Sequence, residues 1–184
     1  SPLFSDPESN DRSLEKGRLI HRMLQALPDI PAEERAEAAK RYAERAARFW
    51  PAAERQVLID SVLKLLQDQR LHAVFAVHAQ AEISIMGTLT LEGREYAVSG
   101  RIDRLAVLSD SVVILDYKTN RVPPASEETI PFSHKAQLAI YREILKPLYP
   151  AMRIDCMLIY TENATIHILS EQALASALAG LNTK

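Results

Sequence analysis

Apolar positions follow two different rhythms along the chain, and the change falls near residue 74. Before it, apolar residues recur at helical spacing. Ile20, Met23, Leu24 and Leu27 form one stripe, which predicts a helix over about 13–27 with Ser13 as N-cap and Pro28 as its stop. Pro31 opens a second helix through an Ala-, Glu- and Arg-rich run to Phe49. Pro51 sits in the first turn of a third, which runs to about Arg70. There Val57, Ser61, Leu65 and Asp68, with Leu58, Val62 and Leu66 beside them, make a broad amphipathic stripe. From Val74 to Lys118 the residues turn to Val, Ile, Thr and Tyr, with turn punctuation at Glu92-Gly93 and Ser109-Asp110. This predicts three consecutive antiparallel strands at about 80–91, 94–108 and 111–119. After Pro123-Pro124 come a helix (133–148), strands at 152–160 and 164–169, and a last helix (170–181).

The expected organisation is a linker-like lead-in over 1–12 and one domain over 13–184, helical over 13–72 and an α/β core over 73–184. The start at Ser1 reads as an excised piece of a longer chain, and SPLFSDPESND has no leader-like pattern. No apolar run reaches the roughly 18 residues of a membrane span, so no membrane partner is expected. The single cysteine, Cys156, excludes a disulfide within the chain and a four-cysteine iron–sulfur or zinc site. A reducing cytoplasm is the simplest compartment. The net charge of -2 counts mildly against a freestanding nucleic-acid binder. A cutting domain that borrows its grip from other domains escapes that objection.

The chemistry gathers where three carboxylates meet. A symmetric hairpin about Ser109-Asp110 sets Asp103 opposite Asp116 and Arg101 opposite Lys118. A second about Glu92-Gly93 sets Glu82 opposite Asp103. Like charges in register destabilise a sheet. Leu105, Val107, Val112 and Ile114 on that face, and Ala106, Leu108, Val113 and Leu115 on the other, describe a sheet buried on both sides. Carboxylates there must be protonated or paired with a cation, and hard oxygen ligands suit Mg²⁺ or Mn²⁺. Lys118, two residues from Asp116, points to the same side. A metal ion and an ammonium beside it are what phosphodiester hydrolysis requires. An isolated D-x-K is most often a solvated ion pair; two further acids in register move the balance toward a site.

These residues carry a family resemblance. Gly17-Arg18-Leu19-Ile20-His21, Gly100-Arg101-Ile102-Asp103-Arg104, Asp116-Tyr117-Lys118-Thr119 and Gln137-Leu138-Ala139-Ile140-Tyr141 occur in an order that resembles the RecB-like branch of the PD-(D/E)xK nucleases. With DYKTNR-x-PP between the lysine and glutamine motifs, the set is most similar to the C-terminal nuclease domain of AddA-type helicase–nuclease proteins. The resemblance covers about residue 13 to the end. It implies a restriction-endonuclease-like α/β/α core with a mixed central sheet and an N-terminal helical extension. It implies His21, Asp103, Asp116 and the Tyr117 carbonyl as ligands of Mg²⁺, with Mn²⁺ as a substitute, and Lys118 as the catalytic lysine. Gln137 and Tyr141 would line the substrate side, and Glu82 would be an auxiliary contact. The relatives' four-cysteine cluster is absent from this chain. The implied activity is Mg²⁺-dependent exonuclease cleavage of single-stranded DNA in double-strand break repair and recombination. The implied partners are DNA, helicase domains of the same polypeptide and an AddB-type subunit.

Other readings stand beside this one. A lone His21 at the border of an apolar stripe is often structural. Gly17 lets its helix approach the sheet or a phosphate closely. Gln137 and Tyr141 share a helix face that packs inward. His72, His78, His134 and His167 lack ligand-like spacing, and the mixed charges of residues 33–48 describe a solvated face. The competing functions are a catalytically inactive nuclease-like DNA-binding or scaffold module and a nuclease-fold enzyme acting on RNA or another phosphodiester.

Overall fold

The computed structural model describes residues 7–76 and 79–181. The chain forms two compact units. One comprises the chain up to Val77 with Tyr117–Pro123 and Tyr160–Thr165; the other comprises His78–Asp116, Pro124–Ile159 and the chain from Ile166 on. The first boundary falls close to the change of rhythm in the sequence. The two later insertions into the first unit have no local signal.

The first unit is built on α1 (Pro7–Ala26), α2 (Arg35–Ala46) and α3 (Ala52–Gln67). Its core joins Leu19, Ile20, Met23 and Leu24 of α1 to Ala39 and Ala43 of α2 and to Leu58, Val62 and Leu65 of α3. Alanine on the buried face of α2 allows close helix packing. Two sequence expectations are corrected here. The helix begins at Pro7, so residues 7–12 are helical rather than lead-in, while residues 1–6 lie outside the described residues. Proline fits a first turn because its missing N–H has no helical partner there. Ser13 is therefore inside α1, and its hydroxyl donates to Glu162 Oε2 at 3.1 Å instead of capping. The buried stripe of α3 is also rotated from the expected one. Leu58, Ile59, Val62, Leu65 and Leu66 are buried, whereas Val57 is 54% exposed.

The sheet has the order β1-β2-β3-β4-β5, from β1 (Gln80–Leu91), β2 (Arg94–Val107), β3 (Ser111–Lys118), β4 (Arg153–Tyr160) and β5 (Thr165–Ile168). β1 and β2 form a hairpin closed at Leu91 and Arg94, with positive φ at both Glu92 (49°) and Gly93 (76°). Two such residues in succession suit the twist of a tight hairpin. β2 and β3 are also antiparallel. β3 and β4 run parallel. Arg153 N donates to Asp110 O at their starts, and Thr161 N donates to Lys118 O at their ends. β5 folds back on β4, with Leu169 N donating to Cys156 O. The sheet is thus mixed, as the family resemblance implied, and the class is α/β with N-terminal helices.

Helix α4 (Phe132–Leu145) makes the β3–β4 crossover and α5 (Glu171–Gly180) closes the chain. α4 lies on one face of the β1–β2 hairpin. A Cβ on Gly87 would meet Ile144 at 2.7 Å and one on Gly100 would meet Tyr141 at 2.6 Å. α5 is capped by Ser170, whose hydroxyl accepts from Ala173 N at 3.1 Å and donates to Glu127 Oε1 at 2.6 Å.

Candidate functional site

The β2–β3 ladder runs up to the residues that adjoin two aspartates, Asp103 and Asp116. Arg104 pairs with Leu115, Leu105 with Ile114 and Ala106 with Val113. The ladder ends at Arg104–Leu115, and its register, continued one step, would set Asp103 opposite Asp116. Alternation puts both on the face of Leu105 and Ile114, opposite the face of Arg104 and Leu115. Asp116 is only 4% exposed because every residue of β3 before Lys118 is buried, whichever face it takes; Asp103 is half-buried. Lys118, on the same side of β3 as Asp116, is half-buried and ends the strand. Its carbonyl accepts from both Thr161 N (2.9 Å) and Thr161 Oγ1 (3.2 Å), which fixes the strand end.

Glu82 departs from the expected three-acid row. The Glu82–Asp103 pair is the gap in an otherwise continuous β1–β2 ladder. Glu82 has φ 53°, the left-handed region, which is rare for a non-glycine residue in a strand. Its carboxylate lies 3.6 Å from Arg101 Nη1, and its side chain is 46% exposed. A carboxylate opposite Asp103 is costly, and an edge strand is free to deform. Burial therefore reaches Asp116 but not Glu82.

In the first unit, His21 is half-buried on α1 and its ring centroid lies 4.8 Å from that of Tyr117. His21 Nε2 is 3.4 Å from Gln25 Nε2, one turn on. Gly17, one turn earlier, brings α1 against the chain just beyond Lys118. A Cβ there would lie 2.2 Å from Thr119 Cγ2 and 3.4 Å from Thr161 Oγ1. Lys16 Nζ donates to Glu162 O at 3.1 Å, so α1 is tied to the 161–162 turn as well. The sequence reading missed Thr119, Thr161 and Glu162. Their partners lie dozens of residues away, and no periodicity encodes such pairs.

Gln137 Nε2 donates to Tyr141 OH at 3.1 Å, so the two act together on α4. Tyr141 is 7% exposed and packs on Gly100. Gly100 faces the side of β2 opposite to Asp103. Tyr141 thus bears on the back of the strand that carries the aspartate.

The donor chemistry fits a hard divalent cation. Two carboxylates on adjacent strands, each next to the last pair of the β2–β3 ladder and one almost wholly buried, supply the anionic oxygens that such ions take. Cys156 is buried and its thiol is pushed up to about 12 by burial, so it offers no soft ligand at neutral pH. Among the described residues, no three His, Cys, Asp or Glu side chains are gathered into a complete cage. Mg²⁺ is commonly held by one or two carboxylates with substrate phosphates and water completing its shell. Among the described residues no helix is long and apolar enough to cross a membrane.

Comparison with known proteins places this geometry in context. A family model described as the PD-(D/E)XK nuclease superfamily matches residues 3–176. Three curated proteins, each named as a subunit of an ATP-dependent helicase/nuclease, are similar to parts of the chain. That of Streptococcus suis (strain 98HAH33) is 28% identical over 95 residues, 50% of this chain and 7% of that protein. That of Lactococcus lactis subsp. lactis (strain IL1403) is 32% identical over 81 residues, 44% of this chain and 7% of that protein. That of Streptococcus mutans serotype c (strain ATCC 700610 / UA159) is 22% identical over 111 residues, 58% of this chain and 9% of that protein. The chain therefore spans less than a tenth of the length of these relatives.

Proposed function

The chain belongs to the PD-(D/E)XK nuclease superfamily, and from that premise we propose that it is the Mg²⁺-dependent DNA-cutting domain of a helicase–nuclease. The observation that carries this reading is the β2–β3 ladder, whose register continued one pair would set Asp103 beside Asp116, with Lys118 on the same side of β3 as Asp116. Asp103 and Asp116 would hold the cation. His21 and the Tyr117 carbonyl, which the motif resemblance adds to the ligand set, are proposed with them. Bound there, a divalent ion supplies neutralisation of phosphate charge and a more acidic water. Lys118 orients the attacking water and balances the charge that grows on the phosphoryl oxygens. Water adds to phosphorus in line, and the bond to the leaving sugar oxygen breaks. Glu82, released from Arg101, is an auxiliary water contact. Gln137 and Tyr141 we assign to positioning β2, because Tyr141 packs on the Gly100 side of that strand.

The relatives' shared name, which joins helicase to nuclease, supports a parent protein in which a motor feeds single-stranded DNA to this domain. The word subunit in that name supports a partner chain, which we propose to be of the AddB type; exonuclease action in double-strand break repair and recombination, in the cytoplasm, is proposed with it from the motif resemblance. The test uses end-labelled single-stranded DNA with the 184-residue chain in Mg²⁺, Mn²⁺ or EDTA. Cleavage is expected in either metal, none in EDTA, and none with Lys118→Ala. Cleavage that survives Lys118→Ala refutes the assignment. Metal-dependent DNA binding without cleavage favours the inactive module, and preference for RNA favours the third reading.

A further inference from the structure

A cleft of about 440 Å³ opens within the first unit, lined by α1, α3, Trp50 and the chain beyond β3. It is of a size for a nucleotide-scale ligand. Arg12 and Lys16 of α1 and Arg121, three residues past Lys118, all line it. Among the described residues two acids line it too, but both are committed. Glu54 Oε2 holds Arg12 Nη1 at 2.8 Å. Glu162 Oε1 lies 3.5 Å from Lys16 Nζ, and its other oxygen accepts from Ser13. The Arg12 guanidinium also lies 4.8 Å over the Trp50 ring. Arg121 differs. It is exposed, and it makes no hydrogen bond or ion pair among the described residues. Among the described residues, the cleft of this acidic chain, net charge -2, thus keeps an excess of positive charge, with the Arg121 guanidinium uncommitted.

The cleft is also fixed in place. Lys16 precedes Gly17, which brings α1 against Thr119, and Arg121 lies two residues beyond Thr119. Three residues of chain reach at most roughly 10 Å, so Arg121 stays within a nucleotide or two of Lys118. The half-exposed Val57 gives the cleft an apolar wall on which a sugar can rest.

We propose that this cleft binds a backbone phosphate of the DNA strand flanking the one that is cut. Arg121 supplies the planar fork that matches phosphate oxygens. Arg12 and Lys16, held by their carboxylates, supply the surrounding field. The proposal rests on the nuclease reading of Asp103, Asp116 and Lys118, and it adds a contact to the strand outside that set.

The experiment measures binding of a fluorescein-labelled oligothymidylate to the 184-residue chain in EDTA, by anisotropy over a series of NaCl concentrations. Arg121→Ala is expected to bind about tenfold more weakly, with a log–log salt slope smaller by about 0.7. Arg121→Lys should fall between, because it keeps the charge and loses the fork. Arg94→Ala, an equal loss of charge at the β1–β2 turn, should match the parent. Thermal melting checks that each variant folds. An Arg121→Ala chain with the parent's affinity and slope overturns the proposal. If that happens while the parent still cuts DNA, the cleft assignment falls alone. If the parent neither binds nor cuts with metal, the nuclease reading falls with it.

Discussion

Gly17 of α1 lies so close to Thr119 that a Cβ on it would sit 2.2 Å from the Thr119 Cγ2 and 2.9 Å from its Cβ. Thr119 follows Lys118 directly, and His21 lies one turn along the same helix. Helix propensity alone favours Ala over Gly by about 1 kcal/mol, so a glycine of no packing importance would gain from replacement. Here overpacking opposes that gain by about 1–3 kcal/mol. Gly17→Ala is expected to unfold at lower urea and to lose most cleavage. Thr119→Ser, which removes Cγ2, should recover part of both in the double variant. A Gly17→Ala chain more stable than its parent would falsify the contact as the reason for the glycine.

Asp116 supports a prediction that does not depend on turnover. A ligand present at 100 times its Kd stabilises a fold by about 2.7 kcal/mol. Saturating Mn²⁺ should therefore raise the melting temperature of the parent by several degrees in calorimetry. Asp116→Asn and Asp103→Asn should each remove most of that rise. If the full shift persists in Asp116→Asn, the ion binds elsewhere.

The parts of this molecule that were legible in its sequence are those fixed by local rules. Alternation and the Glu92-Gly93 turn gave β1 and β2 their limits within a residue, and the Ser109-Asp110 turn gave the β2–β3 register. Tertiary effects escaped. Glu82 leaves strand geometry because its neighbour across the ladder is also an acid, a response that depends on how exposed β1 is. Val57 and Ile59 are both apolar, and only packing decides that Ile59 turns inward. Thr161 clamps Lys118 across 43 residues of sequence. The Gln137–Tyr141 spacing was readable as one helix face, but the strand face it meets was not.

Cys156 predicts how stability responds to alkaline pH. Burial pushes its thiol up to about 12 in the folded chain, against roughly 8.5 when unfolded. The folded state then keeps a proton that the unfolded state loses. Its contribution is fully present below about 8.5 and is lost as pH rises toward 12, with a limiting slope of about 1.4 kcal/mol per pH unit. Cys156→Ala should flatten the alkaline limb of a pH–stability curve. In the native parent the thiol should resist a disulfide reagent at pH 8 and react fully in guanidinium chloride.

Arg142 is held by a carboxylate that faces water. Its Nη1 lies 2.7 Å from Glu171 Oε2; the arginine side chain is 8% exposed and that of Glu171 74%. Solvent screening weakens the pair itself, but removing the acid leaves a buried guanidinium without this partner. Glu171→Ala should cost about 1–2 kcal/mol in urea unfolding. Adding Arg142→Met should cost little more, because it removes the charge that the first change stranded. Strictly additive losses would mean that the two side chains do not act as a pair.

Gly100 and Tyr141 test whether α4 serves the reaction by touching substrate or by holding β2. Tyr141→Phe removes the hydroxyl that accepts from Gln137 Nε2 at 3.1 Å, a loss of about 1 kcal/mol in stability. Because Tyr141 lies on the face of β2 away from Asp103, KM for an oligonucleotide should stay within about twofold of the parent, a negligible change in binding free energy. Gly100→Ala puts a methyl group 2.6 Å from both Tyr141 Cε1 and its hydroxyl oxygen. That clash displaces the strand that carries Arg101 and Asp103, so kcat should fall more than KM rises. Combining Gly100→Ala with Tyr141→Leu, which removes the obstructing ring, should recover kcat in part. A large rise in KM for Tyr141→Phe at unchanged stability would return the tyrosine to the substrate side of the site.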